Sequence, residues 1–194
     1  LPHSSEKLIE WSNARDIILD SFSSFHPEIS NIAKMFFKNN WIDASLRKGK
    51  ASGAFAHPSV PSLHPFILVN YQGKIRDVMT LAHELGHGVH QILAGKNGLL
   101  MAETPLTLAE TASVFGEMLV FRKLLNESPI EQKKQLLSSK IEDMLNTVAR
   151  QIGFHQFEVK FHEARIKSEL TPDEISDIWM QTQSHAVGPY INLG

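Results

Sequence analysis

RDVMTLAHELGHGVHQILA, residues 76 to 94, decides how the rest of the chain is read. Its apolar positions Val78, Met79, Leu81, Ala82, Leu85, Val89, Ile92 and Leu93 recur at the spacing of one helix face, and Gly95 marks the stop. Within that helix His83 and His87 stand four positions apart, about 40° round the axis and about 6 Å along it, so both imidazoles can reach one ion. Neutral imidazole suits zinc. Glu84, beside the first ligand, is placed to take a proton from a metal-bound water, whose pKa zinc lowers towards about 7. Two surface histidines would give the same letters; a strongly periodic helix behind a strand-like segment favours the ligand reading. His90 shares this face, but three residues beyond His87 on a straight helix it lies too far along the axis to share the ion with both. It is expected to line the cleft or to support a ligand from outside.

A catalytic zinc needs a third protein ligand and an open position for water. A metzincin pattern would require Gly at 90 and His at 93, where this chain has His90 and Leu93, and a thiolate ligand is excluded because there is no cysteine. Carboxylates on a later helix remain. Glu103, Glu110 and Glu117 lie seven apart, and Glu110, among Leu106, Leu108, Ala109, Ala112, Val114 and Phe115, is the best placed. An unpaired charge in such apolar company would be costly. His155 and His162 are expected in polar networks, while His57 and His64, next to prolines, carry no clear signal.

Outward from this centre the chain reads as mainly helical. Helical periodicity covers Glu6 to Phe22, a second helix starting at Pro27 and ending near Asn39, then Leu106 to Leu125 and Ile130 to Ile166, with Gly153 as a bend. Thr171-Pro172-Asp173-Glu174 is a capping box with proline at the first helical position, which starts a last helix. Two extended pieces, Gly53 to Ala56 and Pro65 to Asn70, can pair as a small antiparallel β-sheet. The 194 residues suffice for one domain or part of a larger one. A net charge of -2 without a basic block argues against nucleic acid as a partner. Without a signal peptide or an apolar run of spanning length, no membrane association is expected and a cytoplasmic location is the default. The start at Leu1 rather than Met implies a trimmed or excised chain.

GAFAHP (53 to 58), the stretch from 76 to 94, and TPLTLAETASVFGEML (104 to 119) together resemble the oligoendopeptidase F branch of the thimet-oligopeptidase zinc metallopeptidases. RQIGFHQFEVKFHE (150 to 163) and GPYINLG (188 to 194) extend the likeness more weakly, so that it covers nearly all of residues 50 to 194. The resemblance implies a zincin-like core and one Zn2+ per chain, held by His83, His87 and Glu110 with Glu84 as general base. It makes Glu117 a partner of a ligand imidazole. It makes Gly53, Ala54 and Phe55 the strand edge that holds substrate by backbone pairing.

Short unstructured peptides are the implied substrates. The resemblance also places a His and Tyr motif after residue 194 and most of a helical lobe before residue 1; His185 and Tyr190 resemble the segment just upstream of that motif. The expectation is a single partial catalytic domain over 1 to 194, with the zinc-site core at about 50 to 125 and a helical remainder at about 126 to 194. It is the zinc endopeptidase core of a longer enzyme, with the missing N- and C-terminal segments as partners. The alternative is a catalytically silent, metal-binding helical module that assembles with those segments.

Overall fold

The computed structural model describes residues 8 to 187. The chain divides into two compact units, Leu1–Glu127 and Ser128–Gly194.

In the first unit the order is α1 (Trp11–Phe25), α2 (Pro27–Lys38), β1 (Ile42–Asp43), β2 (Phe55–His57), β3 (Phe66–Leu68), α3 (Ile75–Gly95) and α4 (Leu106–Glu127). His26 punctuates the first pair: its Nδ1 accepts the Glu28 N–H at 3.3 Å, and Pro27 takes the first helical position, where a missing N–H costs nothing. Helix α3 opens on Asp77, whose Oδ2 accepts the N–H groups of Gln72 at 2.8 Å and Lys74 at 3.0 Å while its charge complements the helix N-terminus. Val78, Leu81, Ala82, Leu85 and Val89 form the buried face of α3. They pack with Ala14, Ile18 and Phe22 of α1, Ile32, Ala33 and Phe36 of α2, Ile67 of β3 and Val69 just after it, and Val120 of α4. Each fully buried aliphatic side chain here contributes about 1.5 to 3 kcal/mol, so Leu81→Ala removes more than capping can restore.

The sheet differs from the expected antiparallel pair. β2 does pair antiparallel with β3, Phe55 opposite Leu68, Ala56 opposite Ile67 and His57 opposite Phe66, but a third strand adds to the other side. β1 runs parallel to β3, with Ile42 opposite Ile67 and Asp43 opposite Leu68, giving the order β1-β3-β2 and a mixed sheet. A two-residue strand has no periodicity to read. It is held by side chains: Arg47 pairs with both Asp43 oxygens at 2.7 and 2.6 Å, holding that carboxyl down at about 2. The enclosed Lys50 ammonium donates to the carbonyls of Asp43 (2.9 Å), Ser45 (3.0 Å) and Val69 (2.7 Å), joining loop to sheet.

The second unit is a hairpin of α5 (Ile130–Lys167) and α6 (Pro172–Val187). The expected capping box is present: the Thr171 Oγ1 accepts the Glu174 N–H at 3.3 Å and the Glu174 carboxylate accepts the Thr171 N–H at 2.8 Å. α5 runs unbroken through Gly153, which lets α6 approach; a Cβ there would lie 2.9 Å from that of Ala186. Phe154 and Phe157 pack on Trp179. GPYINLG and Tyr190 lie outside the described residues, as does the side chain of His185. No helix of the described residues is long and apolar enough to cross a membrane.

Candidate metal centre

Three side chains from two crossing helices meet at one point. His83 and His87 project from one face of α3, their rings 5.0 Å apart and nearly perpendicular. The Oε2 of Glu110, from the first turns of α4, lies 3.1 Å from the Nε2 of His83 and 3.4 Å from the Nε2 of His87. Each of the three offers one ligand atom, and these atoms all lie within 4.8 Å of one another. Donors about 2.0 to 2.1 Å from a tetrahedral zinc stand about 3.3 to 3.4 Å apart, so the two N–O separations suit that ion.

Further hydrogen bonds hold His83 and Glu110 in place. The Nδ1 of His83 stands 3.3 Å from Glu117 Oε2; a proton on Nδ1 donated to that carboxylate leaves the Nε2 lone pair directed at the convergence point. The hydroxyl of Ser113 donates to Glu110 Oε2 at 2.7 Å and restricts its rotation. Burial lowers the His83 pKa, but the hydrogen bond to Glu117 and the charges of Glu84, Glu110 and Glu117 outweigh it, and the net direction is up. For His87 burial dominates and the net direction is down, favouring the neutral imidazole a metal needs. Glu84 is only 6% exposed, and burial pushes its carboxyl up to about 7, with the Glu110 charge adding to the rise and His83 opposing it.

Other expectations need correcting. Glu110 is not enclosed by its apolar neighbours: its side chain is 64% exposed, and Leu106 and Leu108 are 91% and 57% exposed. Its convergence on the imidazoles, not burial, singles it out. Glu103 precedes α4, so the seven-residue spacing does not place it on the face of Glu110 and Glu117; it lines a hollow of about 660 Å³ with Trp41, Leu63, Gln91, Ile92 and Leu99. His90, as expected, is not among the three converging side chains. His64 stacks on Trp41 with centroids 4.0 Å apart, while His57 Nδ1 accepts the Ser59 N–H at 3.1 Å. His155 lines a groove with Lys160, Gln181 and Thr182, and His162 packs edge-on against Phe161. Gly53 (φ +87°) turns the chain into β2, where Phe55 and His57 are exposed and Ala56 is half-buried.

Sequence reasoning passed over the glycines that permit the crossing. A Cβ at Gly86 would lie 2.5 Å from the Ala112 carbonyl oxygen and 2.7 Å from the Ser113 Cα, and one at Gly116 would lie 3.1 Å from the Ala82 carbonyl oxygen. Without side chains at both points, the backbones of α3 and α4 come close enough for Glu110 to reach both histidines. The signal was present as a glycine inside each helical pattern, a residue that weakens a helix unless close approach requires it.

A family model for peptidase family M3 matches residues 15 to 192. The chain belongs to peptidase family M3. Among its M3 relatives, oligoendopeptidase F of Lactococcus lactis subsp. cremoris is 36% identical over 152 residues, covering 77% of this chain and 25% of that protein. An oligoendopeptidase F homologue of Borreliella burgdorferi is 33% identical over 188 residues, covering 94% of this chain and 32% of its own length. Superposition on PZ peptidase A, solved with an inhibitor, gives a TM-score of 0.76 at 18% identity over 91% of this chain and 31% of that one, which shows the shared fold. The M3 chain described here thus spans about a quarter to a third of the length of these relatives.

Proposed function

We propose that this chain is the metal-bearing core of a zinc-dependent endopeptidase that hydrolyses short unstructured peptides. The observation that carries the reading is the meeting of His83 Nε2, His87 Nε2 and Glu110 Oε2 at separations of 3.1 and 3.4 Å about Glu110. A zinc ion held there, one per chain, supplies a polarised carbonyl and a water of lowered pKa. The residues do the rest. Glu84, buried beside His83, is placed to accept a proton from the attacking water and to return it to the leaving amine. Glu117 keeps the His83 proton on Nδ1. Gly53, Ala54 and Phe55 lead into an edge strand, β2, whose outer side has no neighbouring strand in the described sheet, an arrangement that suits backbone pairing with an extended peptide. Relatives named as oligopeptidases and oligoendopeptidases support peptides as the substrate class.

A second reading is favoured by length. Because the chain spans only a quarter to a third of its relatives, it can serve as a catalytically silent, metal-binding helical module that assembles with the missing N- and C-terminal segments. Zinc titration and quenched fluorescent peptides test both readings, with the 194-residue chain alone and after supplying the absent segments. His87→Ala is expected to lose tight zinc. Glu84→Gln is expected to keep zinc and lose turnover. Tight zinc retained by His87→Ala removes the proposed site; turnover retained by Glu84→Gln removes the general base; zinc binding without turnover in every assembly supports the silent module.

A further inference from the structure

We propose that Gln91 is a positioning residue for bound peptide: its side-chain amide ties the edge strand β2 to the helix bearing His83 and His87 and fixes the strand's height beside the converging ligands. The inference rests on the reading that peptide pairs with β2. His83, His87 and Gln91 stand four apart along α3, so each step turns about 40° and rises about 6 Å, and Gln91 continues the ligand face by one turn. From there its Nε2 donates to the Ala56 carbonyl, 3.2 Å away, in the middle of β2. Ala56 is the residue of the strand that turns inward, between exposed Phe55 and His57. The strand needs such a hold, because it has three residues and only one neighbour, β3.

A second amide holds its entry. The Nδ2 of Asn70, just past β3, donates to the carbonyls of Ala51 and Gly53 at 3.0 Å each. Sheet pairing therefore fixes register, while the two amides fix the strand against the loop before it and the metal-bearing helix beneath it.

The unused half of the Gln91 amide supports the assignment. Its Oε1 is buried with no hydrogen-bond partner among the described residues. A buried acceptor left unpaired is costly, and an aliphatic side chain of similar length would fill the space without that cost. What only the amide supplies is the N–H to Ala56. Small displacements between reacting groups have large effects on rate, so a strand free to shift against the ligand helix would carry its peptide away from the zinc.

The test uses the zinc-loaded 194-residue chain with Glu84→Gln as parent, so that peptide binds without being cut. Gln91→Met removes the donor at similar length, Gln91→Glu turns an acceptor towards the Ala56 carbonyl, and Asn70→Asp removes the donors at the other end. Zinc affinity and amide exchange in α3 are expected to stay at parental values. Exchange at residues 53 to 57 is expected to rise, and affinity for a fluorescein-labelled extended octapeptide, read by anisotropy, to fall about tenfold. General destabilisation would instead raise exchange in α3 as well, which counts against a positioning role. Unchanged exchange in β2, or unchanged peptide affinity in both Gln91 variants, overturns the assignment. If the parent itself binds no peptide, the peptide reading of β2 falls and this inference with it, an outcome distinguishable from failure of the clamp alone.

Discussion

Glu110 and Glu117 approach opposite nitrogens of His83, and this division determines what each substitution should do. Glu117→Gln keeps the shape but weakens the acceptor on Nδ1, so zinc affinity measured by competitive titration is expected to fall about 10- to 100-fold, far less than in His87→Ala. An unchanged affinity would leave Glu117 without a role at the metal. Glu84 gives a prediction in pH. Its carboxyl titrates at about 7 in the folded, metal-free chain against 4.5 for the ordinary group, so between those values the folded state holds a proton that the unfolded state has released. The stability that Glu84 contributes to the metal-free chain therefore falls as pH rises from 4.5 to 7, by about 3 kcal/mol at most, and the loss is complete above 7. Glu84→Gln, which cannot ionise, should be the more stable protein above pH 7 and should lose its advantage below 4.5. Denaturant titrations of both proteins, with chelator present, check the crossover; parallel stability curves would show that burial does not penalise this charge.

At the scale of elements, the approach of α3 and α4 depends on two positions without a Cβ. Gly86→Ala places a methyl group 2.5 Å from the Ala112 carbonyl oxygen, which a flexible side chain could relieve but a helix backbone cannot. The helices must separate, and the expected outcome is a loss of about 3 kcal/mol in unfolding free energy together with weaker zinc binding, since Glu110 moves away from both histidines. Full stability with intact metal affinity would show that the crossing tolerates a wider gap. The sequence made α3 legible because its buried face, the HELGH spacing and the Gly95 stop all agree, and Thr171 to Glu174 were legible because a capping box is a local device. Strand β1 was not, since Ile42–Asp43 is set by pairing with β3 and by Arg47 and Lys50, contacts that no periodicity reports. Glu110 could be picked from its helix and neighbours, yet those neighbours are exposed; spacing located the carboxylate, and only the fold shows how it meets His83 and His87.

Within the second unit, a long apolar surface of α5 is left uncovered by α6. Ile130, Leu137, Ile141, Met144, Leu145, Val148, Ile152, Val159 and Ile166 fall within about 100° of one another on a helical wheel, and each is between 41% and 86% exposed. Gly153, Phe154, Phe157 and Phe161 lie on the opposite side, the side that α6 covers. One long helix therefore carries two apolar faces, of which its own hairpin buries one. An apolar stripe running roughly 54 Å along a helix is a large surface to leave in water. The chain spans only a quarter to a third of its relatives, so within a full-length protein additional polypeptide is available to lie against it. For the second unit, an equivalent cover is the same stripe on a second copy. The expectation is concentration-dependent self-association in sedimentation equilibrium, strengthened by salts that favour apolar burial. Leu145→Lys combined with Val148→Lys puts two charges in the middle of the stripe on a helix position that tolerates lysine well, so far-UV circular dichroism should be unchanged while the associated species disappears. Polypeptide matching the remaining length of its relatives, supplied in trans, is expected to have the same effect without substitution, by covering the stripe. A chain that stays monomeric at every concentration, with the stripe intact, would mean that this face is stable in water and needs neither partner.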